Sequence, residues 1–134
     1  MSVLATYISV DGARNTTLEV NVSVDHDDGI KPTVILDPKK RFVDPITPTT
    51  KYRVDYINYV FHKDLSVDLW WEIDGEEPML LRHLEGRGMI DAEKTGGLHN
   101  NAGENKTGCL MLSAYGWTGG DPLKGSITIE AVKQ

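Results

Sequence analysis

The residues best equipped for chemistry in this 134-residue chain are four histidines, one cysteine, a run of carboxylates and three tryptophans. His26, His62, His83 and His99 invite a metal reading, because imidazole is a common ligand for transition ions. None sits in an HExxH motif or in a pair with ligand spacing, so locally they read as strand-end or loop histidines. Asp25-His26-Asp27-Asp28-Gly29 has the composition of a calcium loop. However, glycine stands at its fifth position and Leu36 at its twelfth, where the EF-hand needs an oxygen donor and a glutamate. An Asx-type turn between two strands accounts for the same residues. Glu72, Asp74, Glu76, Glu77 and Glu85 could supply the carboxylate pair of a glycosidase. Most fall at a hairpin tip, where solvent keeps a carboxyl at its ordinary pKa and denies it an acid role.

Nucleophile and phosphate motifs are missing as well. No Gly-x-Ser-x-Gly occurs, and Ser113 lies between Leu112 and Ala114 in a strand pattern. Cys109, followed by Leu110, Met111 and Leu112, reads as a buried small hydrophobe rather than a reactive thiolate. Gly86-Arg87-Gly88 lacks the third glycine and the Lys-Ser/Thr of a phosphate cradle. No catalytic, metal-binding or cofactor-binding residue is expected, and the chain does not read as an enzyme.

The aromatic residues point to recognition instead. Trp70 and Trp71 are neighbours on one strand, so they face opposite sides of its sheet. Trp71 shares a face with Val67, Leu69 and Ile73 and belongs to the core. Trp70 shares a face with Asp68 and Glu72, and two readings stay open. It is either an anchor for a protein partner or a sugar ring, or it lies beneath the long 91–108 connection. Trp117 sits in a glycine-rich turn, where loop tips are seldom covered.

The elements that must position these residues show a period of two. Leu18, Val20, Val22 and Val24 alternate with polar residues, as do Val67–Ile73 and Ile127–Ala131. Val3–Val10, Thr33–Leu36, Tyr52–His62, Met79–Leu84 and Cys109–Tyr115 are further strands, rich in β-branched and aromatic residues. Asp74-Gly75, with Glu76, Glu77 and Pro78 after it, predicts a hairpin between Val67–Ile73 and Met79–Leu84. The connections 37–50 and 91–108 are long enough to be interaction segments. No sustained 3.6-residue stripe appears, so little or no helix is expected. About eight strands with two long crossings fit an all-β, two-sheet β-sandwich of jelly-roll type spanning residues 1–134 as one domain. An immunoglobulin-like sandwich is the main rival, without its Cys–Trp–Cys framework, and a simpler barrel is third.

Composition narrows the partners. Lys and Arg number 14 against 20 Asp and Glu, a net charge of −6. Residues 1–67 carry 8 basic and 9 acidic groups, while residues 68–134 carry 6 and 11. Five carboxylates fall between Asp68 and Glu77 with no Lys or Arg among them. Nucleic-acid binding needs a clustered cationic face, and Lys39-Lys40-Arg41 is too short a run to supply one. A lone cysteine rules out an intramolecular disulfide framework. No apolar run approaches the roughly 20 residues that cross a bilayer, and the first residues do not read as a leader. No membrane partner is expected, and the chain reads as soluble.

Residues 84–132 carry a resemblance. Leu84-Glu85-Gly86-Arg87-Gly88-Met89-Ile90-Asp91 is followed by Gly96-Gly97-Leu98, Asn100-Asn101-Ala102-Gly103 and Lys106-Thr107-Gly108. Gly119-Gly120-Asp121 then precedes Ser126-Ile127-Thr128-Ile129-Glu130. This order of glycine steps, turns and strands resembles the capsid cement (decoration) proteins of tailed bacteriophages.

The resemblance implies a homodimeric structural protein of the virion that clamps neighbouring major-capsid-protein subunits at the shell exterior, present in the host cytoplasm during assembly. It implies no cofactor and no active site. The partner-binding residues expected are Tyr7 on the first strand, Phe42 in the proline-rich connection, Trp70, Trp117, and the hairpin-tip carboxylates Glu76 and Glu77. The strand Val3–Val10 is expected to pair with a partner's sheet edge, in a dimer or on the shell. Two alternatives stand beside this reading: a carbohydrate-binding sandwich stacking sugar on Trp70 or Trp117, and a head–tail connector or tail component.

Overall fold

A computed structural model describes residues 2–12, 14–25, 28–40, 50–117 and 119–134. Among the described residues nine strands carry the fold: β1 (Val3–Asp11), β2 (Asn15–Val24), β3 (Ile30–Leu36), β4 (Tyr52–Phe61), β5 (Leu65–Ile73), β6 (Met79–Glu85), β7 (Arg87–Asp91), β8 (Lys106–Gly116) and β9 (Leu123–Lys133). The helical content described is two single 3₁₀ turns, Pro38–Lys40 and Glu93–Thr95. Among the described residues no helix is long and apolar enough to cross a membrane.

The strands form two antiparallel sheets, one in the order β1-β2-β9-β4-β7 and the other β3-β8-β5-β6. With β1 set aside, the eight remaining strands, counted along the chain, lie as 1-8-3-6 and 2-7-4-5. That order is an antiparallel ribbon folded over on itself, the jelly roll expected from the strand pattern. The rival immunoglobulin arrangement pairs its strands differently.

Alternation along each strand builds the core. From the first sheet, Leu18, Val20, Val22 and Val24 of β2 turn inward with Val54 and Ile57 of β4 and Ile127 and Ile129 of β9. They meet Val67, Leu69 and Trp71 of β5 and Leu110, Leu112 and Ala114 of β8 from the second. Trp71 is completely buried, as its position on β5 requires. The hairpin β5–β6 forms as expected, with residues 74–78 as its loop.

The expected two-sheet sandwich of about eight strands is present, and β7 is a further strand among the described residues, where the sequence shows only glycine punctuation. Gly86, at φ 69°, makes a one-residue switch from β6 in one sheet to β7 in the other. Its carbonyl accepts from Phe61 N–H at 2.7 Å. Gly88 pairs with Tyr59, whose phenol lies so close that a β-carbon at Gly88 would sit 2.8 Å from Oη. The glycine is therefore a strand residue under an aromatic ring, not a loop residue. The connection read as 91–108 is also shorter, spanning residues 92–105 between β7 and β8. Leu98 ties it down by exchanging both backbone hydrogen bonds with Val54, at 2.7 and 3.0 Å.

Inward and outward positions should respond differently to truncation. Leu112→Ala, at 0% exposure, is expected to cost about 2–5 kcal/mol in urea unfolding. Leu80→Ala, at 48% exposure on the outer face of β6, should stay within about 0.5 kcal/mol.

Candidate functional site

The solvent-facing side of the β3-β8-β5-β6 sheet gathers most of the distinctive side chains. Its register aligns Val34 with Met111, Met111 with Trp70, and Trp70 with Leu80, one residue from each strand. The result is an apolar row across the full width of an outer face. Val34 and Leu80 at its two ends are well exposed, and Met111 and Trp70 are half-buried between them. Trp70 is fixed there, since its Nε1–H donates to Ser113 Oγ at 2.8 Å. Trp70 is half-buried, with Met111 and Leu80 as its cross-strand neighbours and Ser113 as its hydrogen-bond partner.

A polar row runs beside the apolar one. Ser113, Asp68 and His83 align across β8, β5 and β6, followed by Tyr115, Ser66 and Glu85. His83 uses both ring nitrogens on carboxylates, Nδ1 to Asp68 at 2.5 Å and Nε2 to Glu85 at 3.0 Å. Only the protonated imidazole donates from both nitrogens, so this arrangement favours the cation. The hydrogen bond to Asp68, then that to Glu85, raises the His83 pKa above its ordinary value. In return the hydrogen bonds from His83 and from Ser66 lower that of Glu85. The Tyr115 ring lies 6.4 Å from the imidazole. Such a group fixes a surface charge pattern on this face.

The other expected contact residues are scattered. Glu76 and Glu77 are exposed at the β5–β6 tip, whose turn closes through Glu76 N–H to the Ile73 carbonyl at 3.4 Å. Glu72, part of the same acidic run, instead accepts from Thr107 Oγ1 at 2.7 Å across the sheet. Trp117 is 68% exposed and lines a shallow depression with His62, Asp64 and Pro122. Tyr7 is 63% exposed on β1, at the opposite edge of the molecule's other sheet. Phe42 and His26 lie outside the described residues. Trp70, Trp117 and Tyr7 thus mark three separate surfaces rather than one site.

Cys109 is buried, as expected, but it is not part of the hydrophobic cluster between the sheets. It alternates with the inward Leu110 and Leu112, and its N–H donates to Thr107 Oγ1 at 3.3 Å. Burial pushes its thiol pKa up to about 11. Asp28 N–H donates to the Asp25 carbonyl at 3.2 Å, and Asp28 Oδ2 accepts from Ser2 N–H at 2.7 Å. Among the described residues no group of three or more His, Cys, Asp and Glu side chains is arranged to hold a metal ion.

The ionic trio around His83 escapes sequence reading because its members meet only through a bulge. At the loop end of the β5–β6 hairpin, Trp71 pairs with Met79 and Trp70 with Leu80. The irregularity between Leu69 and Trp70 advances the register by one residue, so Asp68 meets His83 instead of Arg82. No protein-family model matches the chain, and no curated protein matches it.

Three measurements check this geometry. In an NMR titration His83 should lose its proton above its ordinary value of 6.5, and Asp68→Asn should bring the midpoint back toward that value. The imidazolium's stabilising contribution is present below 6.5 and fades as pH rises through the higher folded value. That of Glu85 is present above its ordinary 4.5 and is lost as pH falls through its lowered value. His83→Gln should therefore flatten the alkaline side of the stability profile. Cys109 should react with a thiol reagent at mildly alkaline pH only after denaturant is added.

Proposed function

We propose that this protein is a structural component of a tailed-phage virion, a cement protein that binds the outer surface of the major-capsid-protein shell and stabilises it without catalysis. The observation that supports this reading most is the strand order, 1-8-3-6 over 2-7-4-5. It is an arrangement that recurs in viral capsid and lectin domains. The order also agrees with the glycine and turn pattern of residues 84–132, where Gly86, Gly88 and Gly108 each occupy a demanding backbone position.

The physics of cementing asks for little else. A protein that binds the assembled shell and not its dissociated subunits stabilises the shell by mass action. Contacts repeated over a symmetric surface let modest interfaces act together. The interior between the sheets is packed with aliphatic and aromatic side chains, leaving the outer faces and loop tips as the surfaces available for recognition. The acidic β5–β6 tip projects Glu76 and Glu77 into solvent, where they would meet a basic strip of shell subunits.

A second reading is favoured by one observation. Trp70 is locked on an outer sheet face with exposed Leu80 beside it and Asp68 and His83 in the adjoining row, a platform on which a sugar ring could stack. Tryptophan fluorescence against a glycan panel separates the two readings. A shift on a glycan that Trp70→Ala abolishes would favour carbohydrate binding.

The direct test is co-sedimentation with shells assembled from the major capsid protein encoded in the same genome. Bound protein and a raised shell melting temperature are expected, whereas absence of binding would contradict the reading. Replacing both Glu76 and Glu77 with Lys should weaken shell binding most at low salt. A salt-independent affinity would instead leave the tip facing solvent on the virion.

A further inference from the structure

A depression of about 320 Å³ lies between β6, the edge of the second sheet, and the connection that follows β7. The side of β6 away from β5 pairs with no described strand. The opposite wall is held in place by Leu98, through its two backbone hydrogen bonds to Val54 of the first sheet. Met79, Leu81 and Leu98 are half-buried in the lining, while Arg82, His99 and Asn101 are exposed along it. Asn100, between the last two, is 5% exposed, and its Nδ2 has no hydrogen-bond partner among the described residues.

Arg82 is what sets this place apart. In a chain of net −6, the neighbouring basic groups are already matched by carboxylates: Arg53 by Asp55, and His83 by Asp68 and Glu85. Asp55 lies against Gly97 beside the depression, but Arg53 occupies both its oxygens at 2.7 and 3.1 Å. The Arg82 guanidinium has no carboxylate partner among the described residues, and it donates only to the adjoining Leu81 carbonyl at 3.3 Å. The His99 ring makes no hydrogen bond or ion pair with a described residue. A guanidinium carries five donors in a planar fork and no acceptor, so its natural complement is a carboxylate.

We propose that this depression holds an extended acidic segment of a partner protein, with an apolar side chain against Met79, Leu81 and Leu98 and a nearby carboxylate on the Arg82 guanidinium. A peptide is the fitting class because the open edge of β6 offers backbone groups beside the guanidinium, which a small anion would leave unpaired. The register shift that skips Leu81 keeps any such backbone pairing short. Side-chain complementarity must therefore supply most of the specificity, and Arg82 rejects a basic segment by like charge. This surface is distinct from the acidic β5–β6 tip and selects the opposite sign of charge. The inference is thus independent of the cement reading and holds or fails without a shell.

The test is selection from a randomised peptide display library on the immobilised full chain, followed by NMR titration of the recovered peptides into isotope-labelled protein. Enriched sequences should carry Asp or Glu close to an aliphatic residue, and amide shifts should concentrate at residues 79–82 and 97–101. Arg82→Ala should weaken their binding roughly tenfold or more. Arg82→Glu should turn the selection toward peptides bearing Lys and Arg, a gain that misfolding does not produce. No enrichment, enrichment without acidic residues, shifts confined to another face, or unchanged affinity in Arg82→Ala would each overturn the proposal. So would self-association of the chain that Arg82→Glu abolishes, since the occupant would then be a second copy.

Discussion

The fold hangs on where β9 lies. The last strand inserts between β2 and β4, pairing with Asn15–Val24 on one side and Tyr52–Phe61 on the other. Without it the first sheet would separate into a β1–β2 hairpin and a β4–β7 pair, each with one bare apolar face. The pairing closes a loop of about a hundred residues, whose entropy cost grows only slowly with length. Ile127, Ile129 and Ala131 offset that cost by entering the common core with Leu18, Val20 and Val22. Folding that waits for so distant a strand is expected to be slow relative to helical domains of this size.

Once β9 is seated, the two outer faces acquire different characters. On the first sheet β9 turns out Lys124, Ser126, Thr128 and Glu130, and the exposed Val60, Met89 and Tyr7 stand singly on its other strands. On the second, the same alternation turns out Met111, Trp70, Leu80 and Val34, with the Asp68–His83–Glu85 group alongside. A jelly roll needs only one apolar side per sheet, so an apolar row on an outer side is more than folding demands. The proposed recognition role draws on that excess, together with the projecting acidic tip and the exposed Trp117.

Much of the fold was legible because burial in a two-layer sandwich imposes a strict period of two. Leu18–Val24, Val67–Ile73 and Ile127–Ala131 obey it and lie where the alternation put them, with Trp71 inward and Trp70 outward. β7 was hidden, since Gly86 and Gly88 read as turn residues until Tyr59 is seen to cover the second. Cys109 was legible as buried but not as lying apart from the central cluster, because the unbroken apolar run Leu110-Met111-Leu112 after it masks its parity. Less of the candidate site could be read. Tyr7, Trp117, Glu76 and Glu77 are exposed as their strand-edge and turn settings imply. The bond from Trp70 to Ser113 and the His83 trio depend on cross-strand register, which the bulge in β5–β6 shifts by one residue and no local motif encodes.

The central claim is that the molecule acts by occupying a surface. Electron cryomicroscopy of shells incubated with the protein, reconstructed with the shell's symmetry imposed and then without it, addresses this most directly. The expected result is jelly-roll density at symmetry-related positions on the exterior, spanning the seams between capsid subunits. Bare shells, or density confined to a ring at a single vertex, would contradict the account.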